Sequence, residues 1–264
     1  MNIKPGIVVI TGGSSGIGLA TASCFLKAGH KVAFCGRNAE RLAQAHADLI
    51  QNYPPENILS YKADVLDEAQ MNAFASAVAA NFGGSDWLIN NAGQGRISTF
   101  MSTTDQDWHD ELELKYFSQI RPIRAFLALL GNSKCASITA VNSLLSLQPE
   151  PHMVATSSAR AGIQNLLHSL AIEFAPKNIR VNSILVGLVE SGQWRRRHQE
   201  ELDKTSEQTF EQWAHKLALE KNIPLARLGK PHEAAQALYF LATPLSSYTT
   251  GSYLDVSGGS ARFV

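Results

Sequence analysis

Nowhere does this chain run to the roughly 20 consecutive apolar residues that a bilayer-spanning helix needs, so the reading excludes an integral membrane protein of that kind. Cysteine is scarce. Cys24, Cys35 and Cys135 are odd in number and far apart, with no C-x-x-C, and read as buried thiols in a reducing compartment rather than disulfides, metal ligands or nucleophiles. Charge of either sign is missing in excess: 23 Lys+Arg balance 23 Asp+Glu, which argues against nucleic acid or an acidic membrane surface as a bulk partner. No Pro/Gly/Ser-rich linker, composition shift or internal repeat divides the 264 residues, so a single domain over 1–264 is expected. No basic region or cleavage site precedes "GIVVITGG", and the expectation is a cytoplasmic protein without a secretory signal.

What is present is an alternation of two periodicities. Short β-rich runs at 6–11, 31–36, 58–63, 87–92, 136–141, 179–185 and 252–256 read as seven strands. Between them lie stretches such as "RLAQAHADLIQ" and "MNAFASAVAANF", apolar at helical spacing. Apolar strands separated by helices imply an α/β fold: a doubly wound, Rossmann-type parallel sheet of seven strands, covered on both faces through right-handed crossovers. Residues 188–230 interrupt this rhythm before a helix beginning near Pro231, and read as a substrate lid.

The first strand runs directly into "TGGSSGIGLATA", where Gly12, Gly16 and Gly18 sit between strand and helix. Glycines there permit a tight turn and a close approach of backbone N–H groups to a pyrophosphate at a helix N-terminus. The residue ending the second strand distinguishes NAD from NADP. A carboxylate would accept the ribose 2′-hydroxyl and repel a 2′-phosphate; this chain has "FCGRN", and Arg37 offers a guanidinium fork to a phosphate. The alternative is that Arg37 is a solvated loop cation.

From near Gly6 to Gly259 the chain resembles the short-chain dehydrogenase/reductase family, carried by T-G-x-x-x-G-x-G at 11–18, "ADV" at 63–65, N-N-A-G at 90–93, "RVNSILVGLVES" at 180–191, "IPLARLGKPHEAA" and "GSYLDVSGG". The resemblance implies NADP(H) lying on Gly12, Ser14, Ser15, Gly16, Ile17 and Gly18, then Arg37, Asn38, Asp64 and Val65, then Asn91, Ala92 and Gly93. It implies Arg160 at the nicotinamide ribose, with Gly187, Val189 and Ser191 beside the nicotinamide end; Val186 replaces the family's usual proline.

Family members use Asn, Ser, Tyr and Lys. Here Ser143 keeps the serine position, thirteen residues before Thr156, with Ser146 as a fallback. The tyrosine position is Thr156, the lysine position is Arg160, and the asparagine position, seven residues after Trp108, is Lys115. A phenol starts at a pKa of about 10, whereas an aliphatic hydroxyl is comparable with water near 15.7. The gap is about 5 units, or about 7 kcal/mol, and Thr156 cannot simply stand in. Arg160 keeps the charge but does not exchange its proton near neutrality. Lys115 is either a pocket amine whose pKa burial and like charges depress into the acid/base range, or a solvent-exposed helix lysine. Tyr116 lies about 100° round the helix and is the poorer candidate, and His152 reads as a pocket-mouth or loop residue.

Within the lid, Arg195, Arg196 and Arg197 could receive an anionic substrate, yet 194–221 holds six Lys/Arg and six Asp/Glu, which equally describes a solvated face. Phe210, Trp213, Leu217 and Leu219 are spaced for a helix over the pocket. The resemblance implies a homotetramer built on the helices around 105–130 and 153–176 and the C-terminal strand. Two functions stay open: an NADP(H)-dependent oxidoreductase of a carbonyl/alcohol small molecule with a rearranged catalytic centre, or a catalytically silent NADP(H)-binding sensor or subunit.

Overall fold

The computed structural model describes residues 3–205 and 208–262. Seven strands, β1 (Ile7–Thr11), β2 (Lys31–Gly36), β3 (Ile58–Lys62), β4 (Trp87–Asn90), β5 (Ser137–Ser143), β6 (Arg180–Val186) and β7 (Tyr253–Val256), form one sheet in the order β3-β2-β1-β4-β5-β6-β7. Every pair is parallel. The order reverses between β1 and β4, and the crevice at that switch point is where doubly wound sheets hold their ligands.

Alternate strand residues point to opposite faces, so each strand feeds two cores. Val9, Ala33, Leu88, Ile138 and Val181 face α3 (Glu68–Phe82), α5 (Ser118–Gly131) and α6 (Val154–Phe174), meeting Phe74, Phe126 and Ile163. Val8, Ile10, Phe34, Ile89 and Ile184 face α1 (Gly16–Lys27), α2 (Ala39–Ile50) and α9 (Pro231–Ala242), meeting Phe25, Leu42 and Leu238. Phe126 and Phe25 are fully buried; truncating either to alanine would cost about 3–5 kcal/mol. At the sheet's far side, Arg180 donates to the carbonyls of Leu241, Ala242, Thr243, Ser246 and Thr249, satisfying acceptors left open by the end of α9 and by the turn that follows it.

Two local features shape the site. α4 (Asp105–Leu112), opened by a Thr104–Asp107 capping box, passes through a π-helical turn, Glu113–Phe117, straight into α5. Such turns displace side chains from ordinary helical phase, and this one carries Lys115. The 188–230 segment holds α7 (Gly192–Thr205) and α8 (Phe210–Glu220). Phe210, Trp213, Ala214 and Ala218 bury against Ile223 and Leu228, with Trp194 alongside. This is a small core of its own. Leu219 departs from the expected face: it is 55% exposed, because it stands two residues from Leu217 and therefore about 200° round the helix. No helix among the described residues is long and apolar enough to cross a membrane.

Candidate active site

The end of β1 builds the site's rim. Gly12 and Gly16 have φ of 66° and 54°, a region side-chain-bearing residues rarely adopt. Gly18 is required by space: a Cβ there would lie 2.2 Å from the Gly12 carbonyl oxygen. The Asn91 side-chain amide donates to the carbonyls of Thr11 and Gly12, both at 3.0 Å, while Thr11 Oγ1 accepts from the N–H groups of Asn91 and Ala92. β4 is thereby stitched to the glycine loop. Ser15 is extended and offers α1 no side-chain cap, so the first-turn N–H groups of α1 have no partner within the helix.

That loop forms one wall of a cleft of about 440 Å³, within the range of cofactor sites. Gly12, Ser14, Ser15, Gly16, Ile17, Arg37, Asn38, Asp64, Val65, Asn91, Ala92, Gly93, Arg160, Val189 and Ser191 all line it. Two residues expected at the cofactor act from behind the wall. Gly18 gives the loop its close approach, and Gly187 packs on Ser257, where a Cβ would come within 3.0 Å of backbone. Asn38 lines the cleft, but its side chain already accepts from Arg41 N as the α2 cap. Arg37 faces Asp64 at 3.7 Å. Arg41, which sequence reasoning missed, also lines this end and adds a second guanidinium; its signal was its place one turn after Arg37.

At the other end, Arg160 donates to the Val141 carbonyl at 2.9 Å, and its Nε is buried with no partner among the described residues. Burial lowers its pKa to about 10, against the opposing pull of Glu111. Lys115 is 2% exposed, which excludes the solvent-exposed reading. Its Nζ lies 2.6 Å from Glu111 Oε1 and donates to the Gln94 carbonyl at 2.7 Å. Burial first, and then the Arg160 charge, lower its pKa to about 8, with Glu111 opposing. Thr156 is equally buried; its hydroxyl contacts Glu111 Oε1 and accepts from Arg96 N. Lys115 and Thr156 thus lie behind a wall formed by Gln94, Leu114 and Arg160.

Glu111 was not foreseen. Its signal was the i,i+4 spacing to Lys115, a pattern that usually marks a surface pair. Ser143 ends β5 and accepts from Leu145 N at 3.3 Å, while Ser146 donates to the Ser143 carbonyl and is committed to the turn. Tyr116 turns toward α6, where Gly162 leaves room for its hydroxyl. His152 is exposed and pairs with Glu150. Arg195 stacks on Phe210 and Arg197 on Trp194. No α8 residue lines the cleft.

Residues 12–261 match the family described as enoyl-(acyl carrier protein) reductase. The chain is 30% identical over 259 residues to the 3-oxoacyl-(acyl-carrier-protein) reductase FabG of Salmonella typhimurium, covering 98% of each. It is 57% identical to an NADPH-bound short chain oxidoreductase from Pseudomonas aeruginosa PAO1 described as containing an atypical catalytic center, with a TM-score of 0.93 and 98% of each chain covered. The L-sorbose reductase of Gluconobacter frateurii, solved with NADPH and L-sorbose, shares 29% identity at a TM-score of 0.93, over 99% of this chain and 98% of that one.

Proposed function

The chain belongs to the short-chain dehydrogenase/reductase family, and from that premise we propose that it is an NADP(H)-dependent oxidoreductase of a carbonyl/alcohol pair with a rearranged catalytic centre. The observation that carries this reading is the continuity of the cleft from the Arg37/Arg41 pair, past the glycine loop, to Arg160.

The residues fit the cofactor. The uncapped α1 N-terminus suits a pyrophosphate. Arg37 and Arg41 suit a 2′-phosphate, and β2 ends in Gly36, followed by Arg37 rather than a carboxylate. The unpartnered Arg160 Nε suits a ribose hydroxyl. NADPH, when bound, supplies a hydride. Ser143, at the sheet's carboxyl edge, orients the substrate oxygen. Lys115, whose pKa near 8 lets it both hold and release a proton at neutral pH, is the proton source in place of the family's tyrosine, either directly or through a water it positions across the wall of Gln94, Leu114 and Arg160. Thr156 serves as a hydrogen-bond tie, and the 188–230 segment serves as the lid over a small-molecule substrate.

One observation favours a second reading. The Lys115 ammonium and the Thr156 hydroxyl are both occupied by internal partners, as in a silent NADP(H)-binding sensor. Stopped-flow oxidation of bound NADPH against ketones, ketoacyl thioesters and quinones separates the two: single-turnover oxidation supports the enzyme, and none across the panel supports the sensor. The triple change Lys115→Asn, Thr156→Tyr, Arg160→Lys then tests whether these positions alone silence the site.

A further inference from the structure

Lys115 has few ways to remain charged where it lies. Arg160 on α6 and Arg96 on the loop before α4 both bear on it as like charges, and the Asp107 carboxylate is spent on Arg96 at 2.7 Å. The carboxylate that reaches its amine is Glu111, one turn earlier on the same helical stretch and itself 2% exposed. The Gln94 carbonyl takes a second ammonium proton but contributes no charge. Two cations, Lys115 and Arg160, therefore share one buried anion.

Glu111 touches Thr156 as well. A threonine hydroxyl has one hydrogen, and neither acceptor beside it, the buried Glu111 Oε1 or the Arg96 carbonyl, belongs to a residue that lines the cleft. Wherever that hydrogen goes, it is drawn away from the cleft. An isolated buried carboxylate is strongly disfavoured, so Glu111 is retained against a cost that only its partners offset.

We propose that Glu111 is the positioning residue of this centre, holding the Lys115 amine in its charged form and turning the Thr156 hydroxyl inward, so that Lys115 alone carries the exchangeable proton. The inference rests on the oxidoreductase reading for its meaning, but not for its test. Glu111 touches no cleft surface and acts through Lys115.

The experiment follows Lys115 directly. Protein labelled with carbon-13 at the lysine Cε is titrated by NMR without cofactor, the Lys115 signal being assigned by its loss in Lys115→Met. The wild-type midpoint is expected near 8. In Glu111→Gln it should fall by at least a full pH unit, a tenfold or greater fall in the ratio of charged to neutral amine at fixed pH. A midpoint that stays put in folded Glu111→Gln overturns the proposal, even in an active enzyme. Urea unfolding of Glu111→Gln, Lys115→Met and the double variant supplies a second arm. The double variant should be more stable than the sum of the single losses predicts, because each single change strands a buried charge. Strict additivity overturns the proposal. If Glu111→Gln does not fold, the double variant should; its failure to fold assigns Glu111 to the scaffold and also overturns it. Absence of turnover with every substrate would instead sink the oxidoreductase reading and leave the titration result standing.

Discussion

Arg37 Nη1 stands 3.7 Å from Asp64 Oδ2 at one end of the cleft, with the arginine side chain 61% exposed. A pair so open to water is worth little, about 0–1 kcal/mol, and the guanidinium is free to exchange its partner for a phosphate. With Arg41 beside it, NADPH should bind at least about tenfold more tightly than NADH, about 1.4 kcal/mol. Calorimetric titration of both cofactors measures this, and equal affinities would refute it. Arg37→Asp should abolish or reverse the preference.

The sheet was legible because its strands are apolar on both faces and separated by helices. Strand ends were less so: β5 runs on to Ser143 because β6 continues beside it to Val186, a partnership no local window contains. The glycine turn and Arg37 were readable because glycine geometry and strand-end charge are local matters, whereas Asp64 followed only from the family resemblance. Burial was not. Nothing in "DELELK" distinguishes a surface ion pair from the buried Glu111–Lys115 contact, since that is decided by α6 and the Gln94 loop packing over it.

Lys115→Met should lower turnover by at least about a hundredfold, the ordinary worth of a proton-transfer group. Thr156→Val should cost less than about tenfold, since its hydroxyl faces inward. NADPH affinity should change little in either. Lys115→Met also strands Glu111 and should reduce stability by about 3–5 kcal/mol, so rates are compared below the melting transition. Activity that survives Lys115→Met but dies with Thr156→Val sinks the assignment.

Assembly follows from what is left uncovered. The helical stretch through α4 and α5 exposes Leu112 and Phe117, α6 exposes Ile172, and β7 exposes Tyr253 and Leu254. Among the described strands β7 is also the last of the sheet order, and such edges invite another chain. These are the three surfaces expected to build a homotetramer. Sedimentation at micromolar concentration should show a dimer or tetramer, reduced by Tyr253→Asp with Leu254→Asp. A monomer at that concentration would refute the expectation.

His30 links stability to pH. Its ring is fully buried, edge-on to Trp87; Nδ1 accepts from Gly6 N at 3.0 Å, and Nε2 meets the Tyr239 hydroxyl at 3.2 Å. An acceptor at Nδ1 requires the neutral ring. Burial lowers the pKa below 6.5, only partly opposed by Asp86. Below pH 6.5 the unfolded chain therefore binds a proton that the folded protein refuses. The contribution is whole above about 6.5 and is lost as the pH falls from there toward the depressed folded value. His30→Phe keeps an aromatic ring but leaves Gly6 N–H without its acceptor, which should cost about 1–3 kcal/mol at pH 8. Urea midpoints of the two proteins should then converge as the pH is lowered from 7 to 5, because only wild type loses the His30 contribution there. Since the other seven histidines are common to both proteins, a difference that stays constant across that range would show that the acid sensitivity lies elsewhere.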